Sequence, residues 1–196
     1  MSTALAPSRK RSNSARRAIL TAAFALLEEE GFERLSIEGV AARAGVGKTT
    51  IYRWWPTKGV LVVEAFIEAV TPAIAFRQSG SARADIVRQM KALAKLYRGH
   101  TGDLVCQMIG ASQLDPAMRK AFTEGFLYPR RECAYAVFQR GVAGGEFRAD
   151  VDRDVAIDAL YSPIYYRLLA SGAPVDEAFL DRHIDLVLRG LMALQP

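Results

Sequence analysis

The sequence predicts an all-α fold of about nine helices, in which a small N-terminal three-helix domain with a helix-turn-helix pattern precedes a larger helical domain. Three observations carry this. Apolar residues recur at helical spacing along almost the whole chain, and no run of β-branched residues suggests a parallel sheet. Residues 36–58, from Ser36 to Lys58, describe two short helices joined by a tight turn, the second of them aromatic and basic. The excess positive charge is confined to the first 60 residues, which hold ten Lys and Arg against five acids, whereas the remaining 136 hold 16 of each. A polyanion would need its cations in that segment.

The expected division is a flexible basic arm over residues 1–14, carrying Arg9, Lys10 and Arg11, then a helix-turn-helix domain over 15–60 and a second helical domain over 61–196. From Ser14 to Glu30, the residues Ile19, Ala22, Ala23, Leu26 and Leu27 form one apolar stripe. Gly31 stops this helix, and Phe32 and Leu35 anchor the connection. Ser36 is a good N-cap for the next helix, with Glu38 near the positive end of its dipole. Val40, Ala41 and Ala44 give that helix a small apolar face, and Gly45 ends it, free to take the left-handed conformation of a C′ position. The second short helix is expected from about Gly47 to Trp54, with Ile51 and Trp55 pointing into the core and Pro56 ending it. Thr57 then caps a further helix.

Beyond residue 60 the pattern stays helical. Leu61 to Ile74 reads as a connecting helix, and Asp85 to Arg98 presents Ile86, Met90, Leu93 and Tyr97 along one side. Asp103 to Gln113 follows, then segments opened by Pro116 and Pro129, the latter ended by Gly144 and Gly145. The last two helices, about Arg153 to Ala170 with a bend at Pro163 and Phe179 to Leu191, point to a partner. The final helix is apolar on two faces and so must be buried on both. Leu160, Ile164, Leu180, His183, Ile184, Val187, Leu188 and Leu191 are the residues expected at a four-helix homodimer interface.

At 196 residues and 51% hydrophobic, the chain can bury a substantial core. Met1 to Arg11 lacks the apolar run of a signal peptide and no stretch approaches a membrane span, so a cytoplasmic protein with no membrane partner is expected. Cys106 and Cys133 are widely separated in apolar contexts, where reduced core cysteines are the default. His100 and His183 stand apart from ligand-spaced partners, so no metal is expected. No nucleophile-base arrangement and no cofactor motif can be read, and the expectation is a non-enzyme. One decoy exists: Ala42 to Thr49 satisfies a relaxed P-loop pattern. That motif needs a buried strand in front of it, and the preceding residues read as a short amphipathic helix.

Ile19 to Ala23, Gly31-Phe32, Ser36-Ile37, Val40-Ala41, Ala44-Gly45-Val46 and, most specifically, Thr50 through Lys58 resemble the tetracycline-repressor (TetR) family of one-component bacterial transcription regulators. The motif-level likeness covers roughly residues 15 to 66. It implies a DNA-binding N-terminal domain and a larger, variable helical domain that binds a small molecule and forms a dimer. Members are most often repressors released from DNA by their ligand. Carried over by position, Lys48, Thr49, Thr50 and Arg53 lie on the exposed face of the recognition helix, where Lys48 or Arg53 could reach guanine O6 and N7 and a threonine methyl could touch thymine. Ser36, Tyr52, Trp54, Thr57 and Lys58 resemble phosphate-positioning contacts, with Arg43 a weaker one. For Trp54 core packing and phosphate contact remain equally open. Two positions depart from the family pattern. Gly39 lies inside a helix, and Gly47 stands where a capping hydroxyl residue is common.

Phe66, Met90, Tyr97, Met108, Phe122, Phe126 and Tyr165 are the residues expected to line an effector cavity in the larger domain. A mainly apolar ligand is expected, or an acid if Arg167 or His100 points inward. An activator, an effector-free protein that only binds DNA and dimerises, and a P-loop-like nucleotide-binding enzyme remain as alternatives.

Overall fold

The computed structural model describes residues 6–192, with side chains from residue 12 onward. Residues 1–5 of the expected arm and the side chains of Arg9, Lys10 and Arg11 lie outside the described residues. Helix α1 (Ala6–Arg34) begins earlier than expected, so residues 6–14 are helical, and it is interrupted at Gly31 with φ +79°. It is followed by α2 (Ile37–Ala44), α3 (Lys48–Tyr52), α4 (Lys58–Val70) and a short 3-10 turn, Thr71–Ile74. Then come α5 (Ala82–Tyr97), α6 (His100–Ser112), α7 (Pro116–Phe122), α8 (Tyr128–Ala143), α9 (Arg153–Tyr166) and α10 (Glu177–Leu191). A π-turn at Thr123–Leu127 follows α7 without a break in the chain's helical hydrogen bonding and runs into α8; counted as one element, they leave nine helices among the described residues. No helix among these residues is long and apolar enough to cross a membrane.

The chain divides into two compact units. One comprises the described residues through Val70 together with Gln107–Gly125, and the other comprises Thr71–Cys106 with the described residues from Phe126 onward. The division differs from the boundary expected after residue 60, and the reason lies in α4. Leu61, Val62, Val63, Ala65 and Phe66 are all buried, so this helix is apolar on most of its circumference and needs cover on several sides. It packs on α1 and α7. The approach to α7 is close: a Cβ at Gly59 would lie 2.8 Å from Met118 Cβ, so only glycine fits without a shift. Three short helices alone bury too little surface for a stable core. Here Ile19, Leu27, Val40, Ile51 and Trp55 complete the core with α4.

In the C-terminal unit α5 packs against α8 and α10, and α9 packs against α8 and α10. Ile86, Met90, Leu93, Phe138, Leu160 and Leu188 are among its fully enclosed side chains. Two carboxylates organise the start of α5. Glu146 accepts hydrogen bonds from the N–H groups of Ala82 (2.7 Å) and Arg83 (3.1 Å) and from the Ser81 hydroxyl (2.7 Å). Asp85, 1% exposed, accepts from the Ser79 N–H at 3.1 Å and pairs with Arg140. Burial alone would raise both carboxyl pKa values. For Asp85 the bonds from Ser79 and the Arg140 charge outweigh it, and for Glu146 the helix-end donors do, so both are held low.

Because both folded-state pKa values are depressed, this stabilisation is complete above the ordinary carboxylate range and is lost as pH falls through the lower folded values. Asp85→Ala leaves the Arg140 guanidinium without its buried partner and should lower unfolding stability at neutral pH by about 3 kcal/mol. Urea denaturation followed by circular dichroism from pH 7 down to pH 3 checks this. The variant should also lose less stability than the parent across the acid limb.

Candidate nucleic-acid interface and effector recess

The recognition segment is built by local signals at each end. The Ser36 hydroxyl accepts the Gly39 N–H at 3.1 Å and starts α2. At the other end Gly45 takes φ +67°, and the Val46 N–H donates to Ala41 O at 3.0 Å, turning the chain sharply into α3. Gly47 starts α3 without any side-chain cap. The same turn disposes of the P-loop alternative: the residues before Gly45 form α2, and among the described residues no strand precedes them. Helix α3 is shorter than expected, its last turn loosening at Arg53 and Trp54.

Ile51 and Trp55 are buried, which aims the opposite face of the segment outward. Lys48, Thr49, Tyr52 and Arg53 are exposed and Thr50 is half-buried. Trp54 is also half-buried, packed edge-on against Trp55 at 5.3 Å with the Arg53 guanidinium 5.6 Å from its ring centre, so it is neither fully core nor fully surface. Thr57 caps α4 by accepting the Val60 N–H at 3.2 Å.

Three of the expected DNA-contacting cations already have partners. Arg43 makes a two-pronged pair with Glu29 (2.7 and 2.8 Å), and Lys48 bonds Glu38 at 2.9 Å. These bonds lower the pKa of both glutamates and raise those of Arg43 and Lys48. Such exposed pairs are weak and salt-screened, so competing phosphates can displace them. Lys58 is held differently. Its ammonium donates to the carbonyls of Phe32 (2.9 Å) and Glu33 (3.3 Å) and sits 4.5 Å from the Phe32 ring centre, closing the end of α1. One of its three donors is left for another acceptor.

Two residues that sequence reasoning missed matter here. Arg17 faces an open groove on whose wall Arg43 also stands. Glu64 of α4 accepts the Trp55 indole N–H at 2.6 Å and pairs with Arg16 of α1. It thereby ties the end of the recognition segment to both long helices of the unit. No local pattern reveals either role, since each depends on contacts far apart in sequence.

In the C-terminal unit a recess is walled by Phe76, Leu93, Leu127, Ala134 and Ile157, with Arg130, Arg131, Tyr161 and Tyr165 as its polar lining. Of the seven residues expected around an effector, Tyr165 lines it. Tyr97 stands behind, its hydroxyl 3.2 Å from that of Tyr165, and Phe126 lies under Arg130 at 5.3 Å. Met90 is fully packed core. Phe66, Met108 and Phe122 belong to the N-terminal unit, the first two fully buried there. Apolar periodicity marks buried residues and does not separate core from cavity. Neither expected anion handle reaches the recess: His100 is exposed, and Arg167 stacks 3.6 Å from the Phe179 ring centre and donates to Pro174 O.

The expected dimer residues lie mostly on the inward sides of their helices. Leu160, Ile164, Leu180, Ile184, Leu188 and Leu191 are buried within their own chain, so they face inward. His183 and Val187 lie half-buried at the border, the His183 ring bonded to Leu160 O at 2.9 Å. The outward face of α9 and α10 instead carries Val155 and Tyr166, each 64% exposed, and Leu186, 73% exposed. The final helix is apolar on two faces, and periodicity alone could not say which one the protein's own core would take.

Glu64→Ala removes the acceptor of Trp55 and the partner of Arg16, and should cost about 1.5 kcal/mol of stability. Chemical denaturation of the full-length chain, followed by tryptophan fluorescence, reads this directly.

Known proteins share this arrangement. Residues 19–65 match the model of bacterial regulatory proteins of the tetR family, and residues 76–187 match that of the tetracyclin repressor-like C-terminal domain. The helix-turn-helix type transcriptional regulator YdeS of Bacillus subtilis (strain 168) is 35% identical over 187 residues, covering 95% of this chain and 93% of its own. The DNA-binding transcriptional repressor TetR of Mycobacteroides abscessus is 31% identical over 181 residues, covering 91% of this chain and 93% of its own. The crystal structure of the TetR family transcription regulator SCO0332 superposes with a TM-score of 0.82 at 35% identity, over 93% of this chain and 99% of that one. The chain therefore belongs to the TetR family of transcriptional regulators, which are DNA-binding proteins and not enzymes.

Proposed function

We propose that the protein is a repressor that binds a near-palindromic operator as a homodimer in the cytoplasm and leaves it when a small molecule enters the C-terminal unit. The observation that carries the DNA half is the outward face of the recognition segment, where Lys48, Thr49 and Arg53 stand exposed beside inward Ile51 and Trp55. Lys48 and Arg53 suit guanine edges and Thr49 suits a thymine methyl. Arg43, Tyr52, Thr57, Lys58 and Arg17 are placed to hold phosphates, which set register without reading sequence.

A two-fold dimer presents two recognition helices to successive major grooves about 34 Å apart, which is why a palindrome is expected. The exposed apolar residues Val155, Tyr166 and Leu186 supply the surface for a second copy, in place of the inward residues of the same helices. The chain passes between its two units at residues 70–71 after α4, 106–107 within α6 and 125–126 within the π-turn. An effector that shifts any of these segments would change the presentation of α3.

Selection of bound sequences from a random duplex library with the full-length protein tests the proposal, and enrichment of a palindrome is the expected result. Recovery of salt-sensitive binding with no motif would overturn it. Lys58→Ala should weaken binding on all sequences alike and reduce the salt slope by about one unit. It should also cost about 1 kcal/mol of stability through the lost carbonyl bonds. Leu186→Asp should convert the dimer to monomer in sedimentation equilibrium and lower operator affinity more than tenfold.

A further inference from the structure

The polar lining of the recess in the C-terminal unit is unbalanced. Its two arginines differ: Arg131 is neutralised by Asp154 and Asp158, whereas among the described residues no carboxylate pairs with Arg130. The Arg130 guanidinium donates one long bond, 3.3 Å to Ile74 O, and lies over the Phe126 ring. Most of its five N–H donors remain unassigned. The tyrosines add to the excess of donors. Tyr97 and Tyr165 share one hydroxyl–hydroxyl bond between two protons, so one proton is left to give, and Tyr161 donates its own to Gln89 Oε1. Burial raises the pKa of all three hydroxyls, which keeps them protonated at neutral pH. The remaining walls, Phe76, Leu93, Leu127 and Ile157 among them, are apolar.

An unpaired cation beside a surplus hydroxyl proton, set in an apolar recess, calls for an apolar ligand with one anionic acceptor group. The free cavity is small, about 50 Å³. Ligand pockets run from roughly 300 to 1,000 Å³, so the walls must part to admit even a small ligand. We propose that the effector is a small monocarboxylic acid with an apolar body, its carboxylate held by Arg130 and the Tyr97–Tyr165 hydroxyl pair. This rests on the reading of the C-terminal unit as an effector sensor and narrows the mainly apolar ligand expected from the sequence to an acid. A guanidinium gives a carboxylate two parallel bonds and an amide only a single acceptor, so charge is the discriminating feature.

The test uses three matched pairs of probes on the full-length protein: benzoate and benzamide, phenylacetate and phenylacetamide, hexanoate and hexanamide. Binding is read by thermal shift and by calorimetry, and release from the selected operator by gel shift. At least one acid should bind ten or more times more tightly than its amide. Arg130→Gln should abolish that preference, Arg130→Lys should retain part of it, and Tyr165→Phe should weaken the acid severalfold. Circular dichroism of each free variant separates loss of binding from loss of fold. Equal binding of acid and amide, binding of no acid, or an acid preference that survives in folded Arg130→Gln overturns the proposal. Release of operator by an amide would remove the acid assignment while leaving the sensor reading in place. Acid binding that never alters operator affinity would keep the site and remove the sensor reading.

Discussion

The burial of Ile51 and Trp55 decides how the short α3 faces the solvent. A five-residue helix has no stability of its own, because nucleation costs more than so few hydrogen bonds return. Its orientation therefore comes from those two side chains and from the bond between the Trp55 indole and Glu64. Glu64 sits on α4, and α4 is itself apolar around most of its surface, so α1 and α7 must cover it. The sequence of dependence runs from the cover on α4, through Glu64, to the outward pose of Lys48, Thr49 and Arg53.

Electrostatics adds a second layer. Arg43 and Lys48 rest against Glu29 and Glu38 in the free protein. These carboxylates hold two long side chains on the exposed face of the unit, and under the proposed DNA contact a polyanion has only to replace a weak, solvent-screened partner. Lys58 has the stronger local commitment, because its acceptors are backbone carbonyls at the broken end of α1. Its charge serves the fold and the expected interface together.

What could be read in advance followed the range of the interactions. Ser36, Gly45 and Thr57 act within a turn of themselves, and each cap was legible from residue type and position. On α5 the Ser81 cap is equally local, accepting the Ala84 N–H at 3.2 Å, but the added acceptor Glu146 was not legible, since it lies 64 residues from Ala82. Among the DNA-facing candidates, residue chemistry correctly separated inward Ile51 and Trp55 from exposed Lys48 and Arg53. It did not separate the two apolar faces of α9 and α10, of which only packing reveals the internal one. It also failed on the recess, because Arg130 differs from Arg131 only in the acids that folding brings to one and not to the other.

These features leave one arginine of the C-terminal recess without a carboxylate partner among the described residues, and make the N-terminal unit a mount for a short helix with an exposed polar face. In the proposed two-fold dimer, two such mounts would define a spacing on DNA. Hydroxyl-radical footprinting of the full-length protein on its selected duplex measures that spacing most directly. The account predicts two symmetric protected patches on one face of the DNA, centred on major grooves one helical turn apart or a multiple of it. A single patch, or uniform protection along the duplex, would contradict it.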